Sequence, residues 1–184
     1  MQIAVIDTET NWADAVMSIG IVLADRESLR MTDCRYYIFK PECLVGGMYE
    51  DVLKTPDAMP TAVCTRQSAM EQIRFWLEAE GVEALFAYNA RFDSRHLPEL
   101  GEFCWYDIMK IAAYRQHNPS IPADAPCCST GRLRSHYGVE PTLRRLTGDP
   151  RFRETHNALL DASDELHIMQ LLRLTEEKYP CCRI

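Results

Sequence analysis

The chain opens on an apolar run, Ile3-Ala4-Val5-Ile6, that leads without a break into Asp7-Thr8-Glu9-Thr10. A short, near-continuous apolar run reads as a strand buried on both faces. The two-residue period of a strand puts Asp7 and Glu9 on one side of it. Two carboxylates at the mouth of a buried strand repel each other unless something positive lies between them. A hard divalent cation with oxygen ligands is the natural candidate. The rest of the chain has to supply a fold that closes around this pair.

The elements that follow constrain that fold. Val16 to Ala24 and Arg30 to Lys40 are two further apolar runs joined by short connections, which predicts a three-stranded antiparallel meander. Pro41 to Pro60 has no clear period and reads as a long loop, with one helical turn around Tyr49 to Leu53. Thr65 is a natural N-cap for a helix to about Glu80, with Ala69, Ile73, Trp76 and Leu77 on one face and Gly81 beyond its end. Ala84 to Tyr88 is a fourth strand, Asn89 to Leu100 a turn and short helix, and Phe103 to Tyr106 a fifth strand ending at Asp107. Strands alternating with helices imply parallel crossovers. The expected architecture is α/β: a five-stranded mixed sheet, three strands antiparallel and then two parallel, flanked by helices.

Gln116 to Cys128 is proline-rich and reads as a loop insertion. A short helix is expected over Ser129 to Tyr137, closed by Gly138. A last helix is expected from about Asn157 to Glu177, with Leu159, Ala162, Leu166, Met169 and Leu172 along one face. The 184 residues carry no repeat and no linker that would divide them, so residues 1–184 read as one domain.

Composition excludes some roles. No stretch approaches the ~20 apolar residues that span a bilayer, and the start lacks the layout of a signal peptide. Eight cysteines, including the adjacent pairs Cys127-Cys128 and Cys181-Cys182, contain no C-x-x-C of the kind that builds zinc sites. They read as reduced thiols, and the expected location is cytoplasmic. A net charge of −7 argues against coating long nucleic acid by charge alone, yet leaves room for a pocket that grips a few nucleotides.

Asp93 after the fourth strand, and His156 with Asp161 at the start of the last helix, supply the missing pieces. The spacing lets the histidine sit on the loop while the aspartate points inward from the first turn. Each piece also has a plain reading. D-x-E can be a polar strand exit, and Asp93 an N-cap or loop acid. His156 can be a surface residue, while Asp161, Asp164 and Glu165 can be first-turn acids favoured by the helix dipole.

In order and local context, three segments resemble the DEDDh branch of the RNase T and polymerase-proofreading exonucleases, which have an RNase H-like fold. They are Asp7-Thr8-Glu9-Thr10, Tyr88-Asn89-Ala90-Arg91-Phe92-Asp93 and His156-Asn157-Ala158-Leu159-Leu160-Asp161-Ala162. The resemblance implies a 3′→5′ exonuclease that removes nucleoside 5′-monophosphates from 3′ ends of single-stranded RNA or DNA with two Mg²⁺ or Mn²⁺ ions. Asp7, Glu9 and Asp161 would hold one ion, Asp7 and Asp93 the other, and His156 would take a proton from the attacking water. Thr8, Thr10, Trp12, Asn89 and Phe92 would lie on the substrate side. For Trp12 a base-stacking platform and a buried loop anchor are equal readings, and for Phe92 core packing competes with a wall beside the base.

Six arginines between Arg132 and Arg153 make that stretch locally basic, either a phosphate contact or a solvated face. Homodimerisation is common in similar stand-alone enzymes, though no apolar stripe in this chain announces an interface. Two other readings stay open: a module that holds nucleic-acid ends or a protein without cutting, and a phosphodiesterase for very short oligonucleotides.

Overall fold

The computed structural model describes residues 1–184. Its centre is a sheet with the order β4-β3-β2-β1-β5-β6. The strands are β1 (Gln2–Thr10), β2 (Val16–Asp25), β3 (Met31–Phe39), β4 (Ala62–Cys64), β5 (Ala84–Ala87) and β6 (Cys104–Asp107). β1, β2 and β3 form the expected antiparallel meander, and β5 and β6 add to β1 in parallel.

The sheet has six strands rather than five. The extra one, β4, pairs in parallel with the outer edge of β3 through Tyr37, Ile38 and Phe39. Three residues are too few to carry a period of their own. They are drawn straight by bonds such as Lys40 N to Cys64 O (2.8 Å), which are tertiary in origin.

Period-two alternation sends the two faces of the strands into two cores. Ile3, Val5, Val22, Tyr36 and Phe86 face one, and Ala4, Ile6, Ile19, Ile21, Tyr37 and Leu85 face the other. The second core is closed by α1 (Arg66–Ala79), through Ala69, Met70, Ile73, Trp76 and Leu77. Thr65 caps this helix, its hydroxyl accepting from the Ser68 amide. α2 (Arg91–His96) follows β5, and α3 (Met109–Ala112) follows β6.

The first core is closed by α4 (Val139–Thr147) and α5 (Ala158–Leu171). The expected helix over Ser129 to Tyr137 is absent. That stretch makes bridges from Tyr114 to Arg132 and from Cys127 to Leu133, and the helix starts after it. Gly138 opens α4 in an extended conformation, with Pro141 tolerated in the first turn, and the glycine that closes it is Gly148, in the left-handed region at φ 74°. The last helix is also shorter than expected. Arg173 turns left-handed (φ 48°) and Leu174 N bonds back to Met169 O at 3.0 Å, which buries Leu174 and ends α5 near Leu172.

Residues 179–184 then cover the outer edge of the sheet. α6 (Tyr179–Cys182) buries Tyr179 against Phe86, Arg183 bridges to Tyr106, and Ile184 N donates to Trp105 O at 3.1 Å. The proline-rich stretch 116–128 is a loop, as expected. All eight cysteines are free, and no helix is long and apolar enough to cross a membrane.

Candidate active site

β1 runs through the acidic motif, so Asp7 and Glu9 continue the face that Ile3 and Val5 present to α5. α5 can approach this face because of Gly20, the register partner of Asp7 on β2. A Cβ on Gly20 would lie 2.2 Å from Ala158 O and 2.3 Å from Leu159 N, both backbone atoms of the first turn of α5. The helix is pinned there by Asn157, which is fully buried. Its Oδ1 accepts from Leu159 N (3.1 Å), while its Nδ2 donates to Val52 O (2.7 Å) and to the Tyr36 hydroxyl (3.2 Å). His156 precedes this cap in the left-handed region (φ 59°), and Asp161 follows it in the first turn.

The result is a cage of negative charge. Ligand atoms of Glu9, His156 and Asp161 all lie within 4.8 Å of one another. Asp7 Oδ2 and Asp161 Oδ1 are shielded from solvent and have no hydrogen-bond partner. No lysine or arginine forms an ion pair with Asp7, Glu9, Asp93, Asp161 or Glu165.

Burial, with Asp161 next, pushes the Glu9 carboxyl up to about 8. Burial, with Glu154 and Asp164 adding, pushes Asp161 up to about 8. Asp7 is raised well above the usual carboxylate range by burial and then by Glu165, Asp93, Asp161 and Glu9. Burial lowers His156, opposed by Glu140, which favours the neutral imidazole. Shielded, unpartnered carboxylate oxygens with one imidazole are a donor set that suits hard divalent cations such as Mg²⁺ or Mn²⁺.

The second wall comes from the opposite face of β1. Thr8 is buried there, and its hydroxyl donates to Asp93 Oδ1 at 2.7 Å. Burial raises Asp93 to about 7, with this hydrogen bond pulling the other way. Asp93 is delivered by a tight turn at the end of β5, where Asn89 is left-handed (φ 64°), a conformation asparagine tolerates. The Asn89 side chain is exposed and Thr10 is half-buried at the strand end.

Trp12 is 68% exposed, so it is not a buried loop anchor. Its backbone N donates to Gly46 O at 3.0 Å. Phe92 is half-buried against the His96 ring, 4.3 Å between centroids, and His96 Nε2 reaches Asp14 Oδ1 at 3.1 Å.

Several residues at the site are not apparent from the sequence. Glu165, one turn beyond Asp161, is 2% exposed and accepts from the Tyr88 amide at 3.0 Å, where a first-turn acid would face solvent. The i, i+4 spacing from Asp161 was its only signal. Glu154 is half-buried and near enough to raise both Glu9 and Asp161. The Tyr49 ring stacks on His156, centroids 4.1 Å apart and planes at 15°. Of the basic stretch, Arg144 and Arg153 pair with Glu140 and Arg151 with Asp149. Arg132 lies over the Tyr137 ring, and Arg134 and Arg145 donate to the carbonyls of Cys127 and His136.

No family model and no curated protein matches the sequence. Solved structures do match in shape. The nuclease domain of 3′hExo, a DEDDh family member bound to rAMP, aligns over 100% of this chain and 96% of its own at a TM-score of 0.67, with 16% identity. Exonuclease X in complex with 5′ overhanging duplex DNA aligns over 96% of each chain at 0.58, with 22% identity. E. coli Exonuclease I in complex with a dA16 oligonucleotide aligns over 97% of this chain and 42% of its own at 0.62, with 13% identity. The chain therefore shares the fold of these exonucleases.

Proposed function

We propose that this chain is a metal-dependent 3′→5′ exonuclease that releases nucleoside 5′-monophosphates from single-stranded RNA or DNA. The observation that carries this reading is the meeting of Asp7, Glu9 and Asp161 in a buried cage with no protein cation, beside His156 and within electrostatic reach of Asp93. In this assignment Asp7, Glu9 and Asp161 hold one Mg²⁺ or Mn²⁺ and Asp7 and Asp93 the other. Two such ions would stabilise the charge on the entering and leaving oxygens of an attack on phosphorus.

The residues of the chain supply the rest. Thr8 orients Asp93 through its hydroxyl. His156, kept neutral by burial and oriented by the Tyr49 ring, accepts a proton from water at a ring nitrogen. Trp12, exposed on the turn that follows β1, offers a face for a base, with Phe92, Asn89 and Thr10 bordering the terminal nucleotide. The 3′→5′ direction and the monophosphate product rest on the fold and the motif order.

A preference for short strands is a second reading, favoured by the net charge of −7, which disfavours holding a long phosphate backbone by charge alone.

The test is a 5′-labelled single-stranded oligonucleotide series, as RNA and as DNA, with Mn²⁺ or with chelator. A ladder shortening from the 3′ end is expected with metal alone, and Asp7→Ala and Asp161→Ala should abolish it while keeping the fold. Near-wild-type turnover by either variant, or binding of ends without cleavage, would overturn the assignment.

A further inference from the structure

β5 ends at Ala87, and its ladders stop at Val5–Phe86 on one side and Ala87–Asp107 on the other. The next two amides, those of Tyr88 and Asn89, therefore leave the sheet without strand partners, at a part-buried place. Two carboxylates from different elements take them. Glu165 Oε2 on α5 accepts from Tyr88 N at 3.0 Å, and Asp107 Oδ1 at the end of β6 accepts from Asn89 N at 3.0 Å. Asp107 also accepts from Met109 N at 3.0 Å, which ties it to the start of α3.

The turn so held is the one that aims Asp93. α2 has six residues and no capping side chain, so its direction is inherited from the turn before it. The bonds Phe92 N to Asn89 O (2.8 Å) and Ser94 N to Ala90 O (2.9 Å) run back to the second gripped residue and to the one that follows it. Glu165 is 2% exposed on α5, and its one side-chain hydrogen bond is the one it accepts from the Tyr88 amide.

We propose that Glu165 is a positioning residue: with Asp107 it grips the two successive amides where β5 ends, and so fixes the turn from which Asp93 faces Asp7. The inference rests on the exonuclease reading above for the meaning of the pocket. The grip itself can be measured without it.

The experiment compares Glu165→Gln, which keeps an acceptor oxygen, with Glu165→Leu, which does not, in the full chain. Three quantities are read: amide exchange at Tyr88 by NMR, the Mn²⁺ binding isotherm, and oligonucleotide turnover. Glu165→Leu should lose protection at Tyr88, weaken Mn²⁺ binding by about 10–100-fold, and lower kcat with little change in KM. Glu165→Gln should keep the protection and restore Mn²⁺ affinity to within about threefold of wild type, the smaller part of that loss.

Equal weakening by both variants would mean that only the charge matters, and would overturn the proposal. So would an unchanged Mn²⁺ isotherm in Glu165→Leu. If Glu165→Leu does not fold, Asp107→Asn against Asp107→Ala, read at the Asn89 amide and by the same isotherm, decides the question. A wild-type protein that cuts no oligonucleotide would sink the exonuclease reading, while the exchange and binding data would still judge the grip.

Discussion

Gly20→Ala would act directly on the packing of α5 against the sheet. The new methyl would sit 2.2 Å from Ala158 O, and ordinary contact begins at 3.4 Å, so backbone must move by about 1.2 Å. Gly20 lies mid-strand between β1 and β3, paired on both sides, and cannot itself retreat. The first turn of α5 has to lift, taking His156 and Asp161 away from Asp7 and Glu9.

Overpacking of this size costs about 1–3 kcal/mol of stability, so most of the protein stays folded. A displacement near 1 Å in reacting groups costs about 10²-fold in rate. Gly20→Ala should therefore keep a cooperative thermal transition, lowered by several degrees, while turnover falls about 100-fold and half-saturation by Mn²⁺ rises. Turnover and Mn²⁺ affinity both within a factor of about two of wild type would refute the argument that the close approach at Gly20 sets the site.

Three further outcomes follow from the same geometry. In chelator, stability should fall as pH rises from about 5 to 8: the folded values of Glu9 and Asp161 stand near 8, above 4.5 and 3.8 when unperturbed, so the native state holds more protons across that window. Mn²⁺ should reverse the slope and Glu9→Gln should make it shallower, as read by thermal melts, and a melt insensitive to pH would count against the cage. His156→Ala should lower the chemical rate by about 10²–10⁴-fold with Mn²⁺ affinity largely kept, and an equal loss of affinity would make the histidine a ligand. Asn157→Ala removes a cap and two tertiary bonds, so a loss of about 1–2 kcal/mol is expected in denaturant melts, against no change if the cap is redundant.

What could be read in the sequence was local. β1 and its acids, the Thr65 cap of α1 and the turn before Asp93 all carry their signals within a few residues. β4 escapes because its three residues become a strand only when β3 is beside them. The helix misplaced onto Ser129 to Tyr137 comes from Gly138, since a glycine can open a helix as well as close one; the prolines before it and Pro141 after it, in a first turn, mark the true start. Glu165 and Gly20 are the instructive omissions. An acid in a helix is normally solvated and a glycine in a strand is normally a weakness, and only the crossing of α5 over β1 and β2 gives either its role.

The closure at the far side of the sheet has a consequence for handling the molecule. β6 would otherwise present open main-chain groups beside the aromatic cluster of Phe86, Tyr106 and Tyr179, the kind of surface on which a foreign strand can grow. Residues 179–184 act as a selvedge that stops that growth, while the opposite border is only the three residues of β4. Trimming this short segment would bare that edge and leave its main-chain groups open to pairing with another copy of the chain.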